Sequence, residues 1–313
     1  MIRMNEFHNP VLLSESVSAL KIKKDGVYVD ATFGGGGHSK EILKTLNKNG
    51  KLIVFDQDKQ AILENKILDE RIIVMNTNFR YLKNCLKSIS INKIDGVIAD
   101  LGISSFQINT KRGFSFNSNI ELDMRMNQSS SLSALEVLNE YDKENLSRIL
   151  KEHADFNNSK KLAERIVSYR MKKDIQNSND ILSIFDGCFY VPKKNQFFAR
   201  IFQAIRIEVN DELNALKELL KASLNLLNPS GRLVVISYHS IEDRIVKTFM
   251  KYGHFEAFVK KDFFGNQFRP FNLINKKPTL PSSEEMNSNN RSRSAKMRVA
   301  ELNELSNMQF DDV

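Results

Sequence analysis

Val27-Tyr-Val-Asp-Ala-Thr-Phe-Gly-Gly-Gly-Gly-His-Ser39 opens as a short β-rich run, turns at an acid, and passes through four consecutive glycines. It leads into Glu41, Ile42, Leu43 and Leu46, which recur at helical spacing. A strand, a tight turn and a helix are therefore expected. Glycines suit such a turn for two reasons. They adopt positive φ without steric cost, and without Cβ atoms they let the backbone lie close against a ligand at the amino end of the helix. The ligand expected there is nucleotide-like. A glycine run also serves as a plain flexible connection, so the fold class rests on the strands downstream of it.

Lys51-Leu-Ile-Val-Phe-Asp-Gln-Asp58 is a continuous apolar run ending in acids, the pattern of a parallel strand buried on both faces. Asp56 stands twenty residues beyond Gly36, close to the spacing at which an acid meets ribose hydroxyls in a doubly wound fold. The pair fits NAD, FAD and S-adenosylmethionine alike. Arg71 to Met75 supplies a third strand leading to Phe79, which either stacks on an adenine ring or packs as an ordinary core aromatic. Ile94 to Ala99 supplies a fourth, closing in Asp100-Leu-Gly-Ile-Ser-Ser-Phe-Gln107. Helical spacing at Ala61, Ile62, Ile67 and Leu68, and at Leu82, Leu86 and Ile89, separates these strands. Repeated β-then-α units argue for an α/β fold with helices on both faces of a parallel sheet and ligands gathered at the carboxyl ends of its strands. Gly36, Asp56, Phe79 and Asp100 all fall at such ends.

From Ile108 the strand pattern stops, and helical spacing takes over at Leu135, Leu138, Leu146, Ile149, Leu162 and Ile166. This segment reads as a helical insertion. Its Lys160, Lys161, Arg165, Arg170, Lys172 and Lys173 either meet phosphates or form a solvated helix face. One long helix is expected from about Gln196 through Leu227, since apolar residues recur there at steps of three and four. Asn228-Pro-Ser-Gly231 is turn chemistry, and Arg232 to Ser237 is a fifth buried strand. It ends at His239, which either lines a substrate pocket or caps the next helix.

The 313 residues carry 41% hydrophobic content, a net charge of +8 and a pI near 9.3, so a core is available and a polyanionic partner is favoured. Much of the excess lies between Lys260 and Arg298, where nine Lys/Arg face three acids. With Phe263, Phe264, Phe268 and Phe271 interleaved, that stretch suits single-stranded nucleic acid, and Lys296 to Ala300 suits a closing strand. Two cysteines, Cys85 and Cys188, make no disulfide framework or zinc cluster. The first residues lack the apolar core of a signal peptide, and no apolar run of about 18 residues occurs further along, so a cytoplasmic location is expected.

Several motifs stand in an order that resembles one family. They are Asp30-Ala-Thr-Phe-Gly-Gly-Gly-Gly-His-Ser39, Asp100-Leu-Gly-Ile-Ser-Ser105, Arg112-Gly-Phe-Ser-Phe116, Leu122-Asp-Met-Arg-Met126, Phe202-Gln-Ala-Ile-Arg-Ile207 with Asn210, and Ser237-Tyr-His-Ser-Ile-Glu-Asp-Arg244. Together with the basic Asn290 to Arg298 segment, they resemble the bacterial 16S ribosomal RNA cytosine-N(4) methyltransferases of the MraW/RsmH type, from about His8 to Glu301. The resemblance implies a Rossmann-like methyltransferase sheet over residues 6–108 and 207–301, with an inserted helical substrate-recognition domain over 109–206. It implies S-adenosylmethionine as cofactor, with contacts on Gly36, Gly37, His38, Asp56, Phe79, Asp100 and Gln107. The implied partner is 16S ribosomal RNA within the small subunit, and a homodimer is compatible. Gly35 stands where the family places a basic residue, and Phe106 where it places a proline.

The expected chemistry asks for positioning. A cytosine amine is a poor nucleophile because its lone pair is delocalised into the ring, so Asp100, or a carbonyl between Asp100 and Ser104, is expected to accept a hydrogen bond from it. Neither cysteine lies in a strand-end motif, which disfavours covalent attack on the ring. An NAD dehydrogenase would share the glycine turn and Asp56 but usually spaces its glycines. A non-catalytic RNA-binding protein would explain the basic stretches and leave the strand-end acids without a role.

Overall fold

The computed structural model describes residues 10–104, 107–108, 110, 112–116, 119–258 and 269–304. His8, Ser105, Phe106, Lys111, Lys260, Lys261, Asp262, Phe263, Phe264 and Phe268 lie outside the described residues. The chain divides into two compact units, one running to Gly102 and resuming at Asn214, the other spanning Ile103–Leu213.

The first unit is built on seven strands: β1 (Val27–Asp30), β2 (Lys51–Phe55), β3 (Ile72–Met75), β4 (Ile94–Asp100), β5 (Leu227–Ser237), β6 (Phe271–Leu273) and β7 (Lys296–Leu302). Their order across the sheet is β3-β2-β1-β4-β5-β7-β6. The first five run parallel, and β7 runs antiparallel between β5 and β6. This is a doubly wound, Rossmann-like arrangement whose order reverses beside β1, the place where such sheets open a crevice at the strand carboxyl ends.

Alternation decides which residue faces which layer. Val29, Ile53, Val97, Leu233 and Val235 lie on one face against Leu82 and Leu86 of the helix Leu82–Ser88 and against Leu216, Leu219 and Phe249 from the C-terminal half. Tyr28, Leu52, Val54, Ile98, Val234 and Ile236 lie on the other face, against Val17 and Leu20 and against Ile42 and Leu43 of the helix Gly37–Thr45. Both faces are covered, so the strands read as continuous apolar runs.

Two expectations need correction. The long helix is in fact two, Lys194–Asn210 and Glu212–Leu226, broken at Asp211, whose φ of 48° is left-handed. Apolar spacing continues across the break because both helices bury a face. The break itself is local polar chemistry, since aspartate tolerates this conformation better than most residues. Asn210 fixes it: its Nδ2 donates to the Met124 and Arg206 carbonyls at 2.8 and 2.9 Å, and its Oδ1 accepts the Met126 N–H at 2.7 Å. Second, Asn228 to Gly231 does not precede the strand but lies inside it. The pairing jumps from Ile94–Leu227 to Gly96–Arg232, so the intervening residues bulge out with Ser230 at φ 62°.

The second unit has its own core, with Leu122, Met124, Leu138, Ile149, Ile166, Phe198 and Ile201 fully buried. Phe116 packs its ring on Phe198 and Phe202 at 6.1 and 5.8 Å, and the Arg200 guanidinium lies over Phe156 at 4.1 Å. Half of its cluster of basic residues is engaged internally. Arg165 donates to the Ile184 and Asp186 carbonyls, Arg170 to the Leu138 carbonyl, and Lys173 to Asp180, and of the six only Arg170 is not exposed.

No helix of the described residues is long and apolar enough to cross a membrane. The expected closing strand is β7, and two of its basic residues serve the fold. Arg298 makes a two-point ion pair with Asp243 at 2.6 and 3.1 Å, and Lys296 stands 3.8 Å from the same carboxylate.

Candidate active site

The turn after β1 is a built device. Asp30, the last residue of that strand, is fully buried and accepts the Ser39 hydroxyl at 2.6 Å and the Thr32 N–H at 3.1 Å. Burial pushes its carboxyl up, against the opposing His38 charge and these two hydrogen bonds. Gly36 is the N-cap of the helix Gly37–Thr45, with φ 71°. A Cβ there would come within 3.1 Å of Ile67 and the Phe33 ring, and one at Gly37 would sit 2.1 Å from the Pro10 ring. Gly35, by contrast, opens onto empty space, with nothing within 4 Å of where its Cβ would be. So the turn is packed behind and open in front, facing the helix amino end, where N–H groups and the helix dipole favour a ligand's polar atoms. Gly36→Ala is expected to cost about 1–2 kcal/mol of left-handed strain and to weaken S-adenosylhomocysteine binding roughly tenfold; calorimetric titration of the variant checks it.

Asp56 lies just beyond β2 and locks to this turn. One oxygen accepts the Gly34 N–H at 2.9 Å and the other the Asp58 N–H at 2.8 Å. Each oxygen keeps a lone pair for a further donor. Burial raises the half-buried carboxyl to about 6, against those two hydrogen bonds. The backbone closes the same corner, with the Phe33 N–H on the Phe55 carbonyl at 2.9 Å. Phe79 comes after β3 on a short 3₁₀ turn, Phe79–Tyr81. Half-buried, it packs against the core layer that holds Val29, Ile53 and Leu82.

Asp100 ends β4. Its N–H donates to Thr32 Oγ1 at 2.7 Å, which ties it to the glycine turn, and its Oδ1 accepts the Tyr238 hydroxyl at 2.7 Å. Burial raises this carboxyl to about 6. The His38 charge and the Tyr238 hydrogen bond oppose the rise, while Asp30 and Glu242 add to it. His38 is buried and donates through Nε2 to the Val11 carbonyl at 3.3 Å. Gly36, Gly37, His38, Asp56 and Asp100 thus form one connected corner at the carboxyl ends of β2, β1 and β4. Gln107 belongs to the helical unit, where it is buried and its side-chain oxygen accepts the Ser104 N–H at 3.1 Å.

His239 takes the second of its two expected roles. It is the N-cap of the helix Ser240–Tyr252, accepting the Glu242 N–H on Nδ1. Its neighbour Tyr238 is the site residue that sequence reasoning misses: its place just past the end of β5 is a strand-end position like that of Asp100, but its contact with Asp100 spans 138 residues of sequence. Burial raises both cysteine thiols, Cys85 and Cys188, which disfavours a thiolate nucleophile at either.

Comparison with known proteins gives the family. The model of the MraW methylase family matches residues 5–303. The ribosomal RNA small subunit methyltransferase H of Christiangramia forsetii is 52% identical over 301 residues, 96% of this chain and 99% of that protein. The protein of the same name from Karelsulcia muelleri is 47% identical over 299 residues, covering 95% and 99%. Among solved structures, an rRNA methylase from Streptococcus thermophilus aligns with a TM-score of 0.41 at 14% identity, over 97% of this chain and 99% of that one. With strand-end acids and a glycine turn at one sheet edge, and a match that runs from residue 5 to residue 303, this chain belongs to the MraW methylase family.

Proposed function

We propose that this protein transfers a methyl group from S-adenosylmethionine to the exocyclic N(4) amine of a cytidine in the decoding region of 16S ribosomal RNA, in the cytoplasm. One observation carries the proposal: the open glycine turn and two half-buried carboxylates, Asp56 and Asp100, stand at the ends of three adjacent strands, joined by hydrogen bonds through Gly34 and Thr32. The helical unit is assigned to RNA recognition.

The residues present fit the cofactor. Nothing stands within 4 Å of a Cβ added at Gly35, each Asp56 oxygen keeps a lone pair for a sugar hydroxyl, and Phe79, half-buried after a strand end, supplies an aromatic ring for a base. Gly36, Gly37 and His38 are the cap and first turn of the helix that would meet the cofactor. When bound, S-adenosylmethionine would supply a methyl group already activated by its sulfonium, and the amine that accepts it would have to give up one proton. Asp100 accepts a hydrogen bond from the amine, holds its lone pair in line, and takes the departing proton on its way to water.

That role requires an ionised carboxylate. With Asp100 raised to about 6, kcat is expected to climb as pH rises through about 6 and to level off above 7, which a pH–rate profile on small subunits checks. Labelled S-adenosylmethionine and 30S subunits from cells lacking the gene test the whole reading. Label on N(4)-methylcytidine is the expected result. Label on another ring position, or binding of NAD in preference to S-adenosylmethionine, would sink it.

A further inference from the structure

We infer that Tyr238 is a positioning residue for the methyl transfer, its phenol clamping Oδ1 of Asp100 so that Oδ2 remains as the acceptor for the substrate amine. This rests on the proposed role of Asp100 as that acceptor.

The clamp is held on three sides. The Tyr238 N–H donates to Glu242 Oε2 at 2.9 Å, and Glu242 is buried, with the His239 cap beside it. The phenol ring lies on the backbone of Gly102, where an added Cβ would be 3.2 Å from Cδ2, and Gly102 has φ 106°, a conformation closed to most side chains. The hydroxyl then meets Oδ1 at 2.7 Å across 138 residues of sequence. Among the described residues this is the one hydrogen bond on the Asp100 side chain. A free aspartate turns about χ1 and χ2 and presents either oxygen; a clamped one presents a single oxygen in a fixed direction.

The clamp also governs charge. Burial, and then the Asp100 carboxylate, push the Tyr238 phenol far above its usual value, so it stays protonated and acts only as a donor. A donor on Oδ1 favours the ionised form of Asp100. Around the pair stand His38, whose charge favours that ionised form, Asp30 and Glu242, whose charges oppose it, and Glu285 and Arg291, which interact with the phenol through their charges. Arg291 is itself held below its ordinary value by burial. The phenol is the group that both orients Asp100 and lowers its pKa.

Tyr238→Phe keeps the ring on Gly102 and removes only the hydroxyl. Expected are a loss in kcat of about 10- to 100-fold and S-adenosylhomocysteine affinity within about twofold of wild type. The acid limb of the pH–rate profile should move toward alkaline pH by about one unit. A second readout needs no turnover. In protein labelled with carboxyl-13C aspartate, the resonance missing from Asp100→Asn should titrate about one unit higher in Tyr238→Phe. A kcat loss without either shift would make Tyr238 a merely structural residue and overturn the inference. Wild-type kinetics, or loss of S-adenosylhomocysteine binding, would overturn it as well. An active Asp100→Asn would instead remove the role of Asp100 beneath it, whereas an inactive Asp100→Asn beside a fully active Tyr238→Phe would remove the clamp alone.

Discussion

Asp100→Asn is expected to lower kcat by about 10³-fold, equivalent to roughly 4 kcal/mol of transition-state stabilisation, while S-adenosylhomocysteine affinity, to which Asp100 is also an expected contributor, falls by no more than about tenfold. The substitution is isosteric, yet it is not mild here. The Tyr238 hydroxyl already points at one oxygen, so in the variant it will claim the amide carbonyl and leave the NH2 where Oδ2 stood. A donor then faces the donor N–H of the cytidine amine, and the nitrogen lone pair loses the partner that turned it toward the methyl group. Asp100→Ala removes the group without inserting a donor and is expected to be inactive to a similar degree. Single-turnover kinetics on 30S subunits, with calorimetry for the cofactor product, separates loss of chemistry from loss of binding. Full activity in either variant would exclude Asp100 from the mechanism.

The parts of this site that could be read in the sequence are those fixed by backbone physics. Four glycines before a helix, and acids closing apolar runs, report where strands end, and β1, β2, β3 and β4 lie where those runs stand. What escapes such reading is fixed by partners distant in sequence. Tyr238 matters through Asp100, 138 residues away, and no local pattern announces that contact. The basic residues near the C-terminus give the converse case. As sequence they look like a charged nucleic-acid surface, but Arg298 lies against Asp243 and Lys296 beside it, while Arg269, Lys276, Lys277 and Arg293 remain exposed. Likewise the break at Asp211 is invisible to hydrophobic periodicity, because Val209 and Leu216 keep helical spacing across it; only the Asn210-Asp211 pair hints at it.

Glu208→Ala is expected to destabilise the helical unit by about 2–3 kcal/mol, lowering its melting temperature by roughly 5–10 °C. Glu208 gathers three donors from two other segments of that unit: Arg148 Nη2 at 2.6 Å, the Tyr141 hydroxyl at 3.1 Å and His153 Nε2 at 2.9 Å. Arg148 is 38% exposed and can turn to water when its partner goes, which keeps the cost below that of a fully buried pair. His153, at 12%, cannot, and its Nδ1 already lacks a partner. Burial alone would raise the Glu208 pKa, but the hydrogen bonds from His153 and Arg148 and their charges outweigh it and hold the carboxyl down at about 2. Because the folded value lies below the unfolded one, its stabilisation is complete above about 4.5 and is lost as pH falls toward 2. Glu208→Gln should therefore flatten the loss of stability over that acid range while leaving the helical unit folded at pH 7. Melting both variants and the wild-type protein between pH 3 and pH 7 decides the matter, since a wild-type curve that tracks Glu208→Gln throughout would mean that the charge of Glu208 contributes nothing.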